Sequence, residues 1–536
     1  MKAYNSCSTG RGAVFALAMA TSLVTVSVAS AADVCLGTVL KPYTVSVSPD
    51  YVVRPILSVG ESVPRTSNPS ENYQFVGIPD GLGMHRLNST QAVVYMNHEF
   101  GNTSLSRPLI SQSVTNRGSF VSRWVLCRDG GVASGDLGYT VVVDWENNVT
   151  LPFPTTANTT RGFARFCSGS LAWTDAGFDR PIYFCGEESG GAGTFDGKGG
   201  LGVAIFDGEL HTMPWFGRFA WENTLAQTKP GPTTVLMGNE DGSALDSQLY
   251  MWVGRKDPAG TTGMHKNGLH RDNGVGPGGV VGAGNGLYVL VPDNPAQSNE
   301  VVYTSGTINV RWVMIPAAEA MTDTQLEAAT DAVGGLGFVR VEDGEFAEDN
   351  ANTYYFVTTG GSTGNQLSRL YRLDMNPSDP AGPCTLTVIF NSDLIVAAGG
   401  DAPLSSDNIG VSKDYIMINE DATGQGGSVM RAKARDGSIW RLEIKNNYKM
   451  TRIAEVLPPG TAIATGAQFP PSFSDSGNTG AWETSGIIDA SSVFGLDSWL
   501  FDVQAHGPAI APPTQTVEDG QLLIMQRAFV AKPSLK

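Results

Sequence analysis

The chain has 536 residues, a net charge of −17 and a hydrophobic content of 41%. Its 64 Gly and 30 Pro exceed the usual combined share of about 12%, whereas charged residues make up only 16%. This composition predicts many short strands and turns and excludes coiled coils and helical repeats. The acidity argues against nucleic acid as a partner, because phosphate backbones require a basic surface.

The N-terminal segment is typical of an export signal. Residues 1–12 contain Lys2 and Arg11 but no acid, an apolar stretch follows over 13–28, and Ala29-Ser30-Ala31 has a small-x-small pattern. We therefore predict a signal peptide over 1–31, and a secreted mature protein in the periplasm or outside the cell. The alternative is an uncleaved membrane anchor, which the short, Ser- and Thr-containing run disfavours. Loss of the two basic residues makes the mature charge about −19.

Five cysteines remain after cleavage: Cys35, Cys127, Cys167, Cys185 and Cys384. An odd count in an exported protein leaves at least one thiol unpaired. We expect two disulfides and one cysteine with a separate role, and the sequence does not indicate which cysteines pair.

Short β-rich runs separated by Gly, Pro, Asn and Asp follow one another along the chain. The predicted strands include 92–96, 139–144, 181–185, 233–237, 287–291, 354–358, 386–390, 415–418, 499–503 and 521–526. One helix is predicted, over 322–332, with Asp323 and Thr324 near its start.

Acidic residues recur next to apolar strands, and we place them at the strand ends. The five copies are Asn97-His98-Glu99, Glu187-Glu188, Glu240-Asp241, Glu342-Asp343 and Glu420-Asp421. Their irregular spacing fits blades of roughly 40–50 residues interrupted by insertions. A β-propeller would bring the ends of the inner strands to one face of a central channel. The alternative is a set of acidic surface turns.

Carboxylates that converge in one partly buried site need cations, because they repel one another and lose their hydration. Arg340 is the main basic residue near these motifs, so a hard cation, calcium first, is predicted. The chain has only six His, and only His98 lies in an acidic motif, which disfavours a His-built zinc site. Cys167 would be a soft ligand and indicates iron; the alternative is a structural or disulfide-bonded cysteine.

Taken together, these residues resemble the PhoX-type alkaline phosphatase family, which comprises exported metal-dependent phosphomonoesterases. The resemblance covers most of the mature chain. The matching segments, in order, are 77–83, Asn97-His98-Glu99, Cys167-Ser168-Gly169, Glu187-Glu188, Gly217-Arg218-Phe219 with Glu222, Arg340-Val341-Glu342-Asp343, Asp407-Asn408 and Glu420-Asp421.

The resemblance implies an all-β fold, a six-bladed β-propeller with loop and short helical insertions. We expect residues 32–70 to form an N-terminal extension with the first strands. Residues 71–536 are expected to form a single propeller domain closed by the C-terminal strand. The implied function is hydrolysis of small phosphate monoesters at an iron–calcium cluster in the channel, with no membrane partner after signal cleavage.

The resemblance also implies roles for individual residues. Arg340 would bind the substrate phosphate, and Arg340 and Glu342 would form the catalytic pair. The implied metal ligands are Cys167, Glu99, Glu188, Glu222, Glu342, Asp343 and Glu420. Metals of this kind clamp phosphate oxygens and provide an activated oxygen nucleophile.

Several positions depart from the family pattern and indicate a divergent branch. Trp221 stands where the family often has His, and the segment from Cys167 to Glu187 lacks the expected Pro-Trp-Gly. The tail reads Asp502-Val503-Gln504-Ala505-His506 in place of a Gln-His-Pro-like string, and the signal lacks a twin-arginine pair. Two alternatives therefore stay open: a calcium-dependent propeller hydrolase of another class, either a lactonase or a phosphodiesterase, and a non-catalytic extracellular calcium-binding propeller.

Overall fold

A computed structural model describes residues 35–111, 116–145, 149–152, 162–282, 286–457, 480–507 and 516–528. The predicted signal peptide, residues 1–31, lies outside these residues. Within the described ranges, no helix is both long and apolar enough to cross a membrane.

The fold is all-β, as predicted, with few and mostly short helices. The strands of the first half are β1 (Thr44–Ser46), β2 (Tyr51–Ser58), β3 (Ser62–Pro64), β4 (Asn72–Gln74), β5 (Pro79–Arg86), β6 (Gln91–His98), β7 (Leu105–Ser106), β8 (Asn116–Arg117), β9 (Phe120–Cys127), β10 (Val132–Leu137), β11 (Val141–Val143), β12 (Val149–Pro152), β13 (Ser170–Ala172), β14 (Ile182–Gly186), β15 (Gly202–Phe206) and β16 (Glu209–Thr212). Those of the second half are β17 (Trp221–Ala226), β18 (Thr233–Glu240), β19 (Leu249–Arg255), β20 (Leu287–Pro292), β21 (Gly306–Met314), β22 (Val341–Ala347), β23 (Asn350–Thr358), β24 (Arg369–Asp374), β25 (Cys384–Asn391), β26 (Ser406–Val411), β27 (Tyr415–Glu420), β28 (Ser438–Glu443), β29 (Lys449–Val456), β30 (Glu483–Asp489), β31 (Ser498–Ala505) and β32 (Asp519–Arg527). The α-helices are α1 (Gly263–Lys266), α2 (Asp323–Val333), α3 (Ser392–Ala397), α4 (Gly427–Ala432) and α5 (Ser491–Phe494).

Most strands belong to groups of four antiparallel neighbours. In order of hydrogen bonding, the groups are β5-β6-β9-β10, β13-β14-β15-β16, β17-β18-β19-β20, β22-β23-β24-β25, β26-β27-β28-β29 and β30-β31-β32-β2. Strand β21 pairs with both β20 and β25, so the third and fourth groups merge into one sheet of nine strands.

The first strand of each group contacts the first strand of the next, and we call these six the inner strands. They are β5, β13, β17, β22, β26 and β30, and the last of them contacts β5 again. The inner strands therefore form a closed ring, and their starting ends meet at one side of it.

Small residues allow the inner strands to lie close together. A Cβ atom at Gly81 of β5 would stand 2.2 Å from the backbone nitrogen of Gly169, just before β13. One at Gly83 would stand 2.8 Å from the side chains of Leu171 and Tyr183. Contacts this short exclude any larger residue, so part of the high glycine content has a packing role.

Strand β2 lies in the same sheet as β30, β31 and β32, so a strand from the N-terminal region completes the last group. The expectation of two disulfides was wrong: Cys35 pairs with Cys127, whereas Cys167, Cys185 and Cys384 are free and buried. Cys185 lies in β14 and Cys384 in β25, where each packs as an apolar side chain in a core cluster.

Helix α2 confirms the one helix predicted from the sequence, with its bounds shifted by one residue. Thr322 and Gln325 form a reciprocal capping box, and Gly334 ends the helix in a left-handed conformation. The helix buries Leu326 and Thr330 against the fold.

Candidate functional site

A cavity of about 310 Å³ lies where the inner strands begin. Its lining residues are Glu99, Arg165, Cys167, Glu188, Glu222, Arg340, Glu342, Asp407, Asp421, Thr423, Glu483, Gln504 and His506. Seven of these thirteen residues are carboxylic acids, against two arginines, so the cavity is strongly acidic.

The inner strands supply one set of these side chains from their first residues. The second residues of β5, β17, β22 and β26 are Asp80, Glu222, Glu342 and Asp407, and β30 begins at Glu483. Cys167 precedes β13 by three residues and hydrogen-bonds through its Sγ to Asp80, at 3.2 Å from Oδ2. The same position near the start of successive inner strands thus brings acidic side chains together in the cavity.

The second strand of a group supplies the other set, because it returns antiparallel to the end where the inner strand begins. Glu99 directly follows β6, Glu188 lies two residues after β14, and Asp421 directly follows β27. Gln504 lies near the end of β31 and donates hydrogen bonds to Asp80 and Glu99.

One acidic motif lies at the start of a strand and not at its end, contrary to the sequence interpretation. Arg340 has a left-handed backbone, with φ of 61°, and the chain turns there before Val341 begins β22. Glu342 therefore enters the cavity from an inner strand.

The acidic pairs divide between the cavity and the protein interior. Glu188 lines the cavity, whereas Glu187 accepts hydrogen bonds from the backbone of Ala164, Phe195 and Leu201. Adjacent residues near a strand point in opposite directions, which explains why no more than one member of a pair lines the cavity. Neither Glu240 nor Asp241 lines it.

Glu420 and Asp343 are placed away from the cavity lining. Glu420 is buried and accepts hydrogen bonds from Arg435 at 2.6 and 2.9 Å and from Trp440 Nε1 at 2.9 Å. Its neighbour Asp421 lines the cavity in its place. Asp343 binds the side chain of Asn223 and lines a separate cavity of about 150 Å³.

Three groups of potential metal ligands lie side by side in this region, and the ligand atoms within each group are no more than 4.8 Å apart. They are Asp80-Glu99-Cys167, Cys167-Glu222-Asp407 and Asp407-Asp421-Glu483. Neighbouring groups share Cys167 or Asp407, so the donors form one continuous array. Two groups combine sulfur with oxygen donors, and the third has oxygen donors alone.

The hydrogen-bonding state of the array fits cation binding. Glu222 Oε2 and Asp407 Oδ1 are buried acceptors without a hydrogen-bond partner in the described structure. An unsatisfied buried acceptor is destabilising, and a coordinated cation would satisfy it.

Burial raises the pKa of the acids around the array. It raises the pKa of Asp80 to about 7 and that of Glu483 to about 8, in each case reinforced by neighbouring carboxylates. Burial also raises the pKa values of Glu188, Glu222, Glu342 and Asp407 well above their ordinary range. Such a cluster cannot be fully ionised at neutral pH unless cations compensate its charge.

Two arginines face this acidic cluster, and both have left-handed backbones. Arg165, with φ of 49°, forms ion pairs with Glu99 at 2.7 Å and Glu188 at 2.6 Å. Arg340 forms ion pairs with Asp241 at 2.8 Å and Glu342 at 3.1 Å. Their side chains are 48% and 30% exposed, so positive charge remains accessible at the mouth of the cavity.

His506 lies at the rim of the cavity between two carboxylates. Its Nδ1 is 2.8 Å from Glu518 Oε2, and its Nε2 is 3.5 Å from Glu483 Oε2. Burial alone would lower the pKa of His506, but the two carboxylates outweigh it and raise that pKa well above its usual value.

The structure brings Cys167, Glu99, Glu188, Glu222, Arg340 and Glu342 together as the sequence predicted. Sequence reasoning did not assign Asp80, Arg165, Asp407, Asp421 or Glu483 to the site. Asp80, Asp407 and Asp421 were within the matched segments. For Asp80 and Asp407, their shared position at the second residue of an inner strand was the missing signal.

No family model and no curated protein matches the chain. Among solved structures, Pseudomonas fluorescens PhoX in complex with vanadate, a transition state analogue, has 14% identity and a TM-score of 0.60. The match covers 92% of this chain and 98% of that chain. A glucose dehydrogenase (8% identity, TM-score 0.28) and the exo-β-1,3-galactanase 1,3Gal43A of Clostridium thermocellum (10%, TM-score 0.32) each align over 89% of this chain and 99% of theirs. These two TM-scores are too low to carry an argument. The first match shows that this chain shares the β-propeller-like fold of PhoX along nearly its whole length.

Proposed function

We propose that this chain is a secreted metal-dependent phosphatase that hydrolyses phosphate monoesters at an iron–calcium cluster in the channel of a six-bladed propeller. The observation that carries the proposal is the continuous array of carboxylate and cysteine ligands beside two accessible arginines. The chain shares its fold with PhoX, whose structure was solved in complex with a transition state analogue, and this supports the proposed phosphatase function.

The six four-stranded groups correspond to the six proposed blades. Their inner strands contact one another in a closed ring, and the last group combines β2 with β30–β32. This arrangement supports one channel with the ligand array at a single end.

The ligand chemistry supports two kinds of cation. A group of three carboxylates, such as Asp407-Asp421-Glu483, suits calcium, whereas a thiolate in the other two groups suits a softer metal such as iron. The proposed ligands are Asp80, Glu99, Cys167, Glu188, Glu222, Glu342, Asp407, Asp421 and Glu483. Glu420 and Asp343 are left out, because protein donors already satisfy their carboxylates. When bound, such cations attract the phosphate and stabilise the charge of its transition state.

The arginines provide the selectivity for an anionic substrate. Asp241 accepts hydrogen bonds from both Nε and Nη2 of Arg340, which fixes the guanidinium plane at the cavity. A fixed guanidinium can bind two phosphate oxygens at once. A phosphoester is already anionic when it binds, whereas a lactone gains negative charge only in its transition state. Two accessible guanidinium groups therefore favour a phosphoester.

Replacing the cysteine tests the proposal directly. We expect Cys167→Ser to lose bound iron and at least 100-fold of p-nitrophenyl phosphate hydrolysis, an effect of the size seen when one stabilising group is removed. The matched control is Cys384→Ser, which changes a buried free cysteine in β25 that does not line the cavity. Metal analysis and an assay with added calcium and iron give the two measurements.

Other outcomes would identify the alternatives. Full activity of Cys167→Ser would reject the proposed cluster. Hydrolysis of phosphodiesters or lactones in preference to monoesters would indicate another class of hydrolase. Bound calcium with no turnover on any of these substrates would indicate a binding protein.

A further inference from the structure

Another cavity, of about 870 Å³, lies at the far end of the third group of strands. Thr233 at the start of β18 and Arg255 at the end of β19 pair with each other there, at the end opposite to the start of β17. The segments 275–279, 311–314 and 378–381 also line it, and we call it the β21 cavity. It shares no lining residue with the central cavity, and its volume is within the usual range of ligand sites.

One wall of the β21 cavity is an open strand edge. Strand β25 pairs with β21 only as far as Val310, so within the described residues the rest of β21 has a strand partner on one side only. Ile315 donates a backbone hydrogen bond to Leu287 of β20 at 2.9 Å, and the direction of the backbone groups alternates along a strand. The N–H and C=O groups of Trp312 and Met314 therefore point away from β20, to the side where β25 has ended.

Two aromatic side chains line the same cavity. Tyr288 donates a hydrogen bond from its hydroxyl to the carbonyl of Val275 at 2.9 Å, which fixes its ring. The indole N–H of Trp312 is buried and has no hydrogen-bond partner in the described structure. A buried donor without a partner is destabilising. A carbonyl or carboxylate oxygen of a ligand would supply the acceptor that the protein does not.

The charged residues of the lining have a positive balance, in contrast to the net charge of −17. They are two arginines and one acid, Asp379, whose Oδ1 accepts a hydrogen bond from the backbone of Ala381. Arg255 is exposed at the end of β19. Arg311 is 46% exposed and pairs at 3.1 Å with Asp293, which is 48% exposed. Exposed ion pairs are weak, so both guanidinium groups can bind an incoming anion.

We propose that the β21 cavity binds an extended segment of a partner protein that carries carboxylate side chains. The segment pairs with the open edge of β21 at Trp312 and Met314, as a strand added to the sheet. Its apolar side chains pack against the aromatic rings, and its carboxylates lie beside Arg255 and Arg311. This one class of ligand uses the open backbone edge, the apolar wall and the positive charge together.

Fluorescence anisotropy of labelled hexapeptides on the calcium-loaded protein tests the site without reference to phosphatase activity. The probes alternate valine with glutamate or valine with lysine. We expect the glutamate peptide to bind in spite of the acidity of the chain, and to bind at least tenfold more weakly to the Arg255→Gln/Arg311→Gln variant. The lysine peptide should show no such loss.

Arg180→Gln is the matched control, because Arg180 is a partly exposed, ion-paired arginine that does not line the β21 cavity. It should leave the affinity for the glutamate peptide unchanged. No binding of the glutamate peptide to the wild type, or an equal affinity for the double variant, would overturn the proposal.

A second measurement changes the probe alone and does not depend on how a variant folds. A strand pairs with a sheet edge through alternate residues. Of two glutamate peptides, methylated on the valine or on the glutamate backbone nitrogens, we therefore expect one to lose at least tenfold in affinity and the other to bind as before. Equal affinities of the two would contradict strand pairing. Binding of a galacturonate trimer in place of the peptides would assign the cavity to an acidic carbohydrate and overturn the proposal.

Discussion

Arg340 is positioned by an uncommon backbone conformation. A left-handed φ at a non-glycine residue costs on the order of 1–3 kcal/mol, and it occurs here at both arginines of the cavity. The surrounding protein compensates for it: Ser247 Oγ accepts a hydrogen bond from the Arg340 backbone, and Asp241 holds the side chain. The same turn brings Glu342 into the cavity. The backbone conformation of Arg340 therefore positions both its own guanidinium and the carboxylate of Glu342.

We predict that Arg340→Gln lowers kcat/KM for p-nitrophenyl phosphate by about 10²–10³-fold, the usual effect of losing one electrostatic contact in a transition state. Steady-state kinetics at saturating metal give the measurement. Arg372→Gln is the control, because Arg372 also pairs with an acid, Asp374, but is not among the residues that line the cavity. Equal losses in both variants would argue against a role for Arg340 in phosphate binding.

The sequence predicted individual site residues well where their chemistry is distinctive. Of the free cysteines in the described residues, Cys167 alone lines the cavity, and the family resemblance had implied a ligand role for it where its neighbours in sequence left a structural cysteine open. Arg165 was missed because its role depends on Glu99 and Glu188, which are distant from it in sequence and are brought into contact with it only by the fold.

At the scale of elements, the two members of an acidic pair have separate roles. In three of the four pairs one member lines the cavity and the other is hydrogen-bonded within the protein, whereas neither Glu240 nor Asp241 lines it. The sequence shows where an acidic pair lies but not which member faces the cavity. A shift of one residue in the start of a strand reverses the direction of both side chains. Glu420 and Asp421 are the clearest case.

We predict opposite effects from these two neighbours. Glu420→Gln should lower the free energy of unfolding by about 1–3 kcal/mol, because it removes the buried partner charge of the Arg435 guanidinium and leaves only the partly exposed Asp401. Its metal content should stay at the wild-type level. Asp421→Asn should change stability little in the metal-free protein but lower the content of bound calcium.

Chemical denaturation of the metal-free variants and metal analysis of the loaded ones measure this pair of effects. Loss of calcium in Glu420→Gln, at a folded fraction equal to the wild type, would instead restore Glu420 to the ligand set.

Helix α2 shows an element that the sequence determines almost completely. Its start and end depend on local interactions, namely the Thr322–Gln325 capping box and the left-handed Gly334. We predict that Thr322→Ala lowers the free energy of unfolding by about 1 kcal/mol, as for other lost N-caps. Thr324→Ala, which leaves the cap intact, is the control in the same denaturation experiment.

At the scale of the whole molecule, the acidic channel links stability to pH and to metal. The folded pKa values of Asp80, about 7, and Glu483, about 8, lie above the ordinary values of 3.8 and 4.5. Between pH 4.5 and 8 the folded state therefore holds more protons than the unfolded state. The free energy of unfolding must then fall as pH rises, by up to about 1.4 kcal/mol per pH unit for each such carboxyl.

We predict that the chelator-treated protein melts at a lower temperature at pH 8 than at pH 5, and that calcium removes most of this difference. Scanning calorimetry with and without chelator measures both effects. A melting temperature of the metal-free protein that is equal at the two pH values, or higher at pH 8, would contradict an acidic cluster of this kind.

The sequence predicted the all-β fold class and ten of the 32 strands in the described residues, because apolar runs and turn residues are local signals. It did not predict which cysteines pair, since the distance between Cys35 and Cys127 depends on how the N-terminal region lies against the first group. The pairing of β21 with two groups was also missed, because it depends on contacts between distant parts of the chain.

The pairing of β2 with β32 also has a consequence for how the protein forms. These strands come from opposite ends of the described chain, so the sixth group cannot assemble before the ribosome has completed almost all of it. Until then, β2 remains an unpaired strand whose exposed backbone could pair with another chain. Closing the ring also brings together segments with a large separation in sequence, which is a slow step in folding.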